Sequence, residues 1–169
     1  MKKLIVLLFL TSLIACDDEE APELTILKVY EEARISKVYP NVYPGNSTVF
    51  VYYFEAEDDE MIADDEFAED FFFEINPSAN EFTLTTDDLS TINHLYRQYC
   101  FCGPMNYSKI LSGTVKGTKR SNGDWKVSGE ISLDFGYVEE QTQDTTWRFQ
   151  KELTFDGTFH LTNSPALID

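Results

Sequence analysis

Basic residues are scarce in this chain of 169 residues: 13 Lys and Arg stand against 30 Asp and Glu, a formal net charge of −17. Phosphate binding needs a basic face, so this balance excludes nucleic acid as a partner. Histidine is rarer still, with His94 and His160 alone, and neither sits in a local nucleophile motif that would mark a catalytic dyad. Cysteine is limited to Cys16, Cys100 and Cys102. A membrane-spanning helix needs roughly 20 apolar residues, whereas Leu4 to Ala15 offers 12, with Thr11 and Ser12 among them. Glycines inside the strand-like stretches do not open a helix, which excludes a phosphate cradle.

The N terminus carries an ordered signal. Lys2 and Lys3 precede an unbroken apolar run from Leu4 to Leu10, and Leu13-Ile14-Ala15 tapers to a small residue; this is the pattern of an export signal. Leu13-Ile14-Ala15-Cys16 resembles the lipobox of bacterial lipoproteins. That resemblance implies removal of residues 1–15 and acylation of Cys16 as the mature N terminus; an unlipidated secretory signal is the alternative. Two lipid attachments on one Cys exceed what stable anchoring requires, at about 0.8 kcal/mol per buried methylene. Asp17-Asp18-Glu19-Glu20 is similar to the acidic export signal of Bacteroidetes-type surface lipoproteins, and otherwise reads as a solvated tether over residues 16–23. Both readings put a soluble domain, single over residues 24–169, outside a lipid surface; the expected location is the outer membrane, lipid-anchored, and the export-signal reading adds display on the cell surface.

Removal of the signal takes Lys2 and Lys3 with it, leaving 11 bases against 30 acids, or −19. The charge is unevenly spread: residues 17–88 hold 21 acids and three bases, residues 89–169 nine acids and eight bases. Ten acids and no base lie between Glu55 and Asp70, including Asp58, Asp59, Glu60, Asp64, Asp65 and Glu66. Calcium is the natural counterion for clustered carboxylates, which makes these six candidate ligands. The run lacks the order of a dedicated calcium loop and has no Gly for its turn, so a solvated connection between strands is favoured, and no cofactor is assigned. The flanking VFVYYFEAEDDE and FFFEI resemble immunoglobulin-like extracellular modules, in which an apolar strand runs into an acidic turn.

The remainder reads as strands. Val49 to Phe54 is apolar on both faces, as for a central strand. Phe71, Phe73 and Ile75 alternate with Phe72 and Glu74 up to the Asn76-Pro77 stop, and Phe82 and Leu84 open a short run. Between Thr85 and Tyr99 the spacing changes: Leu89, Ile92, Leu95 or Tyr96, and Tyr99 recur at three to four, after a Thr-Asp pair suited to capping. This predicts one short helix near 87–98. The expected fold is all-β with about seven or eight antiparallel strands, an antiparallel β-sandwich of immunoglobulin-like or meander type, with a half-open β-barrel as the alternative.

LSGTV (Leu111 to Val115), VSGEI (Val127 to Ile131) and FDGTF (Phe155 to Phe159) each put Gly two residues from bulky apolar neighbours, on one strand face. Inward glycines make room for large opposing side chains. RSNGDW (Arg120 to Trp125) must be the turn between the first two copies. A two-residue Asn-Gly loop would set polar residues beside Val127, Ile131 and Leu133. A three-residue loop with Gly123 in the left-handed position instead aligns Leu111 with Leu133, Gly113 with Ile131, Val115 with Gly129 and Gly117 with Val127. From Trp147 to Leu161 the alternation is broken only by Lys151, which predicts one long strand bent near Gly157 rather than a hairpin turn at Asp156-Gly157.

Cys100 and Cys102 are the thiols left after lipidation. In a regular strand their Cα atoms would lie about 6.6 Å apart, the outer limit for a disulfide, which Gly103-Pro104 would shorten. With His94 they make three potential metal ligands and no fourth, so zinc is not assigned. No carboxylate pair has the spacing of a glycosidase. The sequence therefore predicts a non-enzymatic binding or accessory module for a protein or glycan partner. The alternative is a metal-dependent or redox-active exported enzyme using the acidic run or the Cys100/Cys102 pair.

Overall fold

The computed structural model describes residues 23–37, 41–56, 67–99, 107–138 and 145–162. Among them lie β1 (Leu24–Ile35), β2 (Val42–Pro44), β3 (Ser47–Glu55), β4 (Ala68–Ile75), β5 (Glu81–Leu84), α1 (Thr86–Thr91), β6 (His94–Tyr99), β7 (Tyr107–Lys119), β8 (Trp125–Val138) and β9 (Thr145–Thr162). One sheet runs in the order β5-β7-β8-β9-β1-β3-β4-β6, with β2 paired to β1. The first and last strands lie parallel, from Lys28↔His160 to Tyr30↔Thr162, and join two otherwise antiparallel halves. The fold is all-β with one short helix. It is the half-open barrel and not the sandwich, because one continuous sheet curls until its two halves share a single interior.

Aromatic side chains fill that interior. Phe50 of β3 stacks on Phe73 of β4 at 4.8 Å and meets Trp125 of β8 edge-on at 5.3 Å and Phe159 of β9 at 5.6 Å. All four rings are fully buried, and each aromatic pair contributes about 0.5–1.5 kcal/mol beyond its area. β3 has apolar residues on both faces because each face packs into a cluster of its own. Phe50 and Tyr52 join the interior, while Val49 and Val51 join a second cluster with Ala33, Ile35, Val42, Phe72 and Leu95 outside the sheet.

The β7–β8 hairpin has the predicted three-residue loop. Arg120 N–H donates to the Asp124 carbonyl at 2.7 Å and Gly123 N–H to the Arg120 carbonyl at 3.0 Å, with Gly123 at φ +88°. Gly113 stands opposite Ile131, Val115 opposite Gly129 and Gly117 opposite Val127. One predicted pair differs: a bulge at Leu111 places Ile110 opposite Leu133, and Ile110 takes the buried position. A Cβ on Gly129 would lie 2.5 Å from the Phe155 ring, so this glycine does admit a large neighbour. β9 passes through Asp156-Gly157 without turning.

The helix predicted near 87–98 is shorter, six residues from Thr86 to Thr91. Its capping is as expected: the Asp88 carboxylate accepts from Thr85 N–H at 2.9 Å and Thr85 Oγ1 at 2.8 Å. His94 to Tyr99 is instead strand β6, paired with β4 from Phe73↔His94 to Ala68↔Tyr99. Leu95 points to the outer cluster and Tyr96 to the interior. Apolar residues on both faces of a doubly covered strand had imitated a helical period. α1 connects the two edge strands, β5 and β6, and buries Leu89 in the interior; Gly113 N–H of β7 donates to Thr86 Oγ1 at 3.1 Å.

Candidate functional site

Side chains alternate across a strand, so the outer surface of the sheet can be read from its sequence. On β7, β8 and β9 its side chains are polar: Thr114, Lys116, Ser128, Glu130, Thr154 and Asp156 line a depression together with Gly129 and Phe155. On β1, β3 and β4 it is apolar and aromatic. Val42, carried by β2, covers part of it. The rest is an open groove of about 480 Å³ lined by Leu24, Ile26, Lys28, Tyr30, Val42, Val51, Tyr53, Glu55, Asp70 and Phe72. Leu24 is 45 % exposed. Burial raises the Tyr30 phenol above its usual range. The Tyr53 hydroxyl donates to Glu55 Oε2 at 2.8 Å, and this bond, with burial and the charges of Glu55 and Asp70, raises the Tyr53 phenol too.

One wall of the groove is held by a buried ion pair. Asp70 of β4 and Arg97 of β6 are direct cross-strand partners; Arg97 Nε donates to Asp70 Oδ1 at 2.9 Å and Nη2 pairs with Oδ2. Tyr99 hydroxyl donates to Oδ2 at 2.9 Å. Arg97 Nη1 donates to Asn41 Oδ1, and Asn41 Nδ2 to the Ser36 carbonyl at 3.0 Å. The guanidinium lies 5.3 Å from the Phe72 and Tyr99 ring centres. Both Asp70 oxygens and all three guanidinium nitrogens of Arg97 are engaged, so the cluster fixes geometry.

A second buried carboxylate faces inward. Glu69 accepts from the Tyr96 hydroxyl at 2.8 Å and pairs with Lys151 Nζ at 3.1 Å, and Lys151 lies 5.3 Å from the Phe67 ring centre. This ion pair crosses the interior from β4 to β9, which explains the single Lys in the alternation of the last strand. Burial, followed by the charges of Glu69 and Glu23, pushes the Tyr52 phenol up to about 12.

Glu69 and Asp70 correct one expectation. They end the acidic run, yet both are strand residues, 3 % and 4 % exposed, each with its own cation. The six candidate calcium ligands Asp58, Asp59, Glu60, Asp64, Asp65 and Glu66, and Cys16, Cys100 and Cys102, lie outside the described residues. Among the described residues no group of three or more His, Cys, Asp or Glu could hold a metal ion, and no helix is long and apolar enough to cross a membrane. His94 opens β6, not a helix; its Nδ1 lies 3.2 Å from the Ile92 carbonyl, and burial lowers its pKa. His160 is exposed, with Nδ1 3.3 Å from Asp124 Oδ2.

The groove itself went unpredicted. Its signal was the outward set Ile26, Tyr30, Val51, Tyr53 and Phe72, which becomes a surface only once β1, β3 and β4 are known to be neighbours. No family model, no curated protein and no solved structure matches the chain.

Proposed function

We propose that this chain is a lipid-anchored cell-surface protein whose half-barrel is a non-enzymatic binding module, with the outer groove of β1, β3 and β4 as its binding face. The observation that carries the reading is the contrast across one sheet: polar outside β7–β9, apolar and aromatic outside β1–β4 and open there. Ligand sites are concave and mostly apolar with a few placed polar groups, and this groove sets Lys28, Glu55 and Asp70 around Ile26, Tyr30, Val51, Tyr53 and Phe72. Asp70 in its wall, fixed from behind by Arg97 and Tyr99, supports it, because a pre-organised flank reduces the ordering cost of binding. The anchor rests on Leu13-Ile14-Ala15-Cys16, and the acidic residues 17–20 support display on the outer side.

Two measurements test the proposal. Cys16→Ser should release the protein from membranes or leave it unprocessed, and a processed, membrane-bound variant would overturn the anchor. Covalent tyrosine labelling should modify Tyr53 in purified protein and spare it on intact cells. Equal labelling in both would overturn the binding face.

A further inference from the structure

We infer that the outer end of the β1–β2 hairpin is a hinged arm, folded back over the apolar outer face and able to lift from it as a unit. β1 pairs with β3 from Leu24↔Glu55 to Tyr30↔Val49, shifts register between Tyr30 and Ala33, and then pairs with β2 from Ala33↔Pro44 to Ile35↔Val42. Arg97 of β6 is in register with Asp70 and, through it, with Tyr53. Asn41 lies 12 positions before Tyr53, so a straight continuation of β3 would carry it about 40 Å from that row. Arg97 Nη1 nevertheless donates to Asn41 Oδ1, and Ile35 N–H to Glu74 Oε1 of β4. The arm therefore lies across the sheet, with Ala33, Ile35 and Val42 packed on Val49, Val51, Phe72 and Leu95.

Backbone strain marks the two ends of this arm. Among the described residues, Glu32 at φ +50° and Asn41 at φ +70° are the non-glycine residues with positive φ. Such residues persist where their surroundings over-determine them, and they cluster at clamps and switches. At the inner end Gly45 N–H donates to the Glu32 carbonyl at 2.8 Å, and the two chains run so close that a Cβ on Gly45 would lie 2.7 Å from Arg34 Cβ; this is the hinge. At the outer end Ser36 N–H donates to the Asn41 carbonyl at 2.8 Å and Asn41 Nδ2 to the Ser36 carbonyl at 3.0 Å, which ties the arm to itself. The Asn41 side chain, gripped by Arg97, is the latch. Lifting the arm bares Val49, Val51, Phe72 and Leu95 and extends the groove across β4 to β6. Its part in binding rests on the groove being a binding face: Val42 of the arm and Asp70, which holds Arg97, both line the groove, so an occupant touches arm and latch together.

Native-state hydrogen exchange of the full chain, in urea below its unfolding transition, tests the arm directly. The amides of Ile35, Ser36 and Gly45 should exchange through one shared opening that is insensitive to urea, at least about a hundredfold faster than the amides of β8. Asn41→Ala at the latch and Gly45→Ala at the hinge should each speed that opening by about tenfold and leave β8 unchanged. Exchange of the arm only together with β8, or variants that speed both sets equally or neither, overturns the inference. An arm that never opens alone, with Tyr53 still protected on cells, sinks the hinge and leaves the binding face standing. An arm that opens alone, with Tyr53 labelled equally on cells and in purified protein, sinks the binding face and leaves the hinge.

Discussion

Asp70 and Arg97 sit directly opposite each other across β4 and β6, and their side chains meet at two points on the outer face. Asp70 is 5 % exposed at its side chain and Arg97 23 %, so removal of either partner leaves a poorly solvated charge. Arg97→Ala should cost about 3 kcal/mol in urea unfolding. The double replacement Asp70→Leu with Arg97→Met should recover most of that loss, since well-packed apolar pairs replace buried ion pairs at little cost. A double variant as unstable as the single one would show that the other bonds of the cluster, through Tyr99 and Asn41, carry the stability.

At the β7–β8 turn, Gly123→Val should cost about 1–2 kcal/mol through its positive φ. A Cβ there would also approach Leu161 Cδ2 to 2.7 Å. Asn122→Ala removes only the exposed side-chain bond to Asp124 Oδ2 at 2.8 Å and an acceptor for Asp124 N–H at 3.2 Å. Thermal unfolding of the two variants should rank Gly123→Val as the more damaging.

In the interior, Gly129→Val should destabilise by about 1–3 kcal/mol, because the Phe155 ring already occupies the space. Adding Phe155→Leu should relieve part of the cost, and chemical unfolding of the two variants measures the coupling.

The tyrosines give a pH dependence. Tyr52 is pushed up to about 12 by burial and then by the charges of Glu69 and Glu23. Tyr96 and Tyr99 are also raised, chiefly by burial and then by Glu69 and Asp70 respectively. A folded pKa above the unfolded value of about 10 favours the neutral phenol in the fold. The contribution is complete below pH about 10 and is lost as the pH rises towards the folded pKa values. Absorbance titration should show a delayed tyrosinate phase in folded protein that disappears in urea, with stability falling above pH about 10. A single phase near 10 in both states would contradict the burial of Tyr52 and Tyr96.

Much of the fold was legible where side-chain matching is local. The Arg120 to Trp125 loop followed from pairing Gly113 with Ile131 and Val115 with Gly129, since the alternative register puts polar groups in the core. The bulge at Leu111 was not legible, because Ile110 and Leu111 are equally apolar and only the third dimension chooses which is buried. β6 was misread as helix because Leu95 and Tyr96 both pack, on opposite faces. Glu69 and Asp70 were hidden inside a run of ten acids; their cations, Lys151 and Arg97, are supplied by β9 and β6. The groove depends on β1 lying beside β3 and β3 beside β4, a neighbour relation that no local pattern encodes.

The central claim is that the apolar outer face is covered at the cell surface while the polar one is free. A photoreactive amino acid placed at position 53, and separately at position 154 on the polar half, tests it in intact cells. The account predicts a discrete cross-linked adduct from position 53 and none from position 154. No adduct from 53, or equal adducts from both positions, would contradict it.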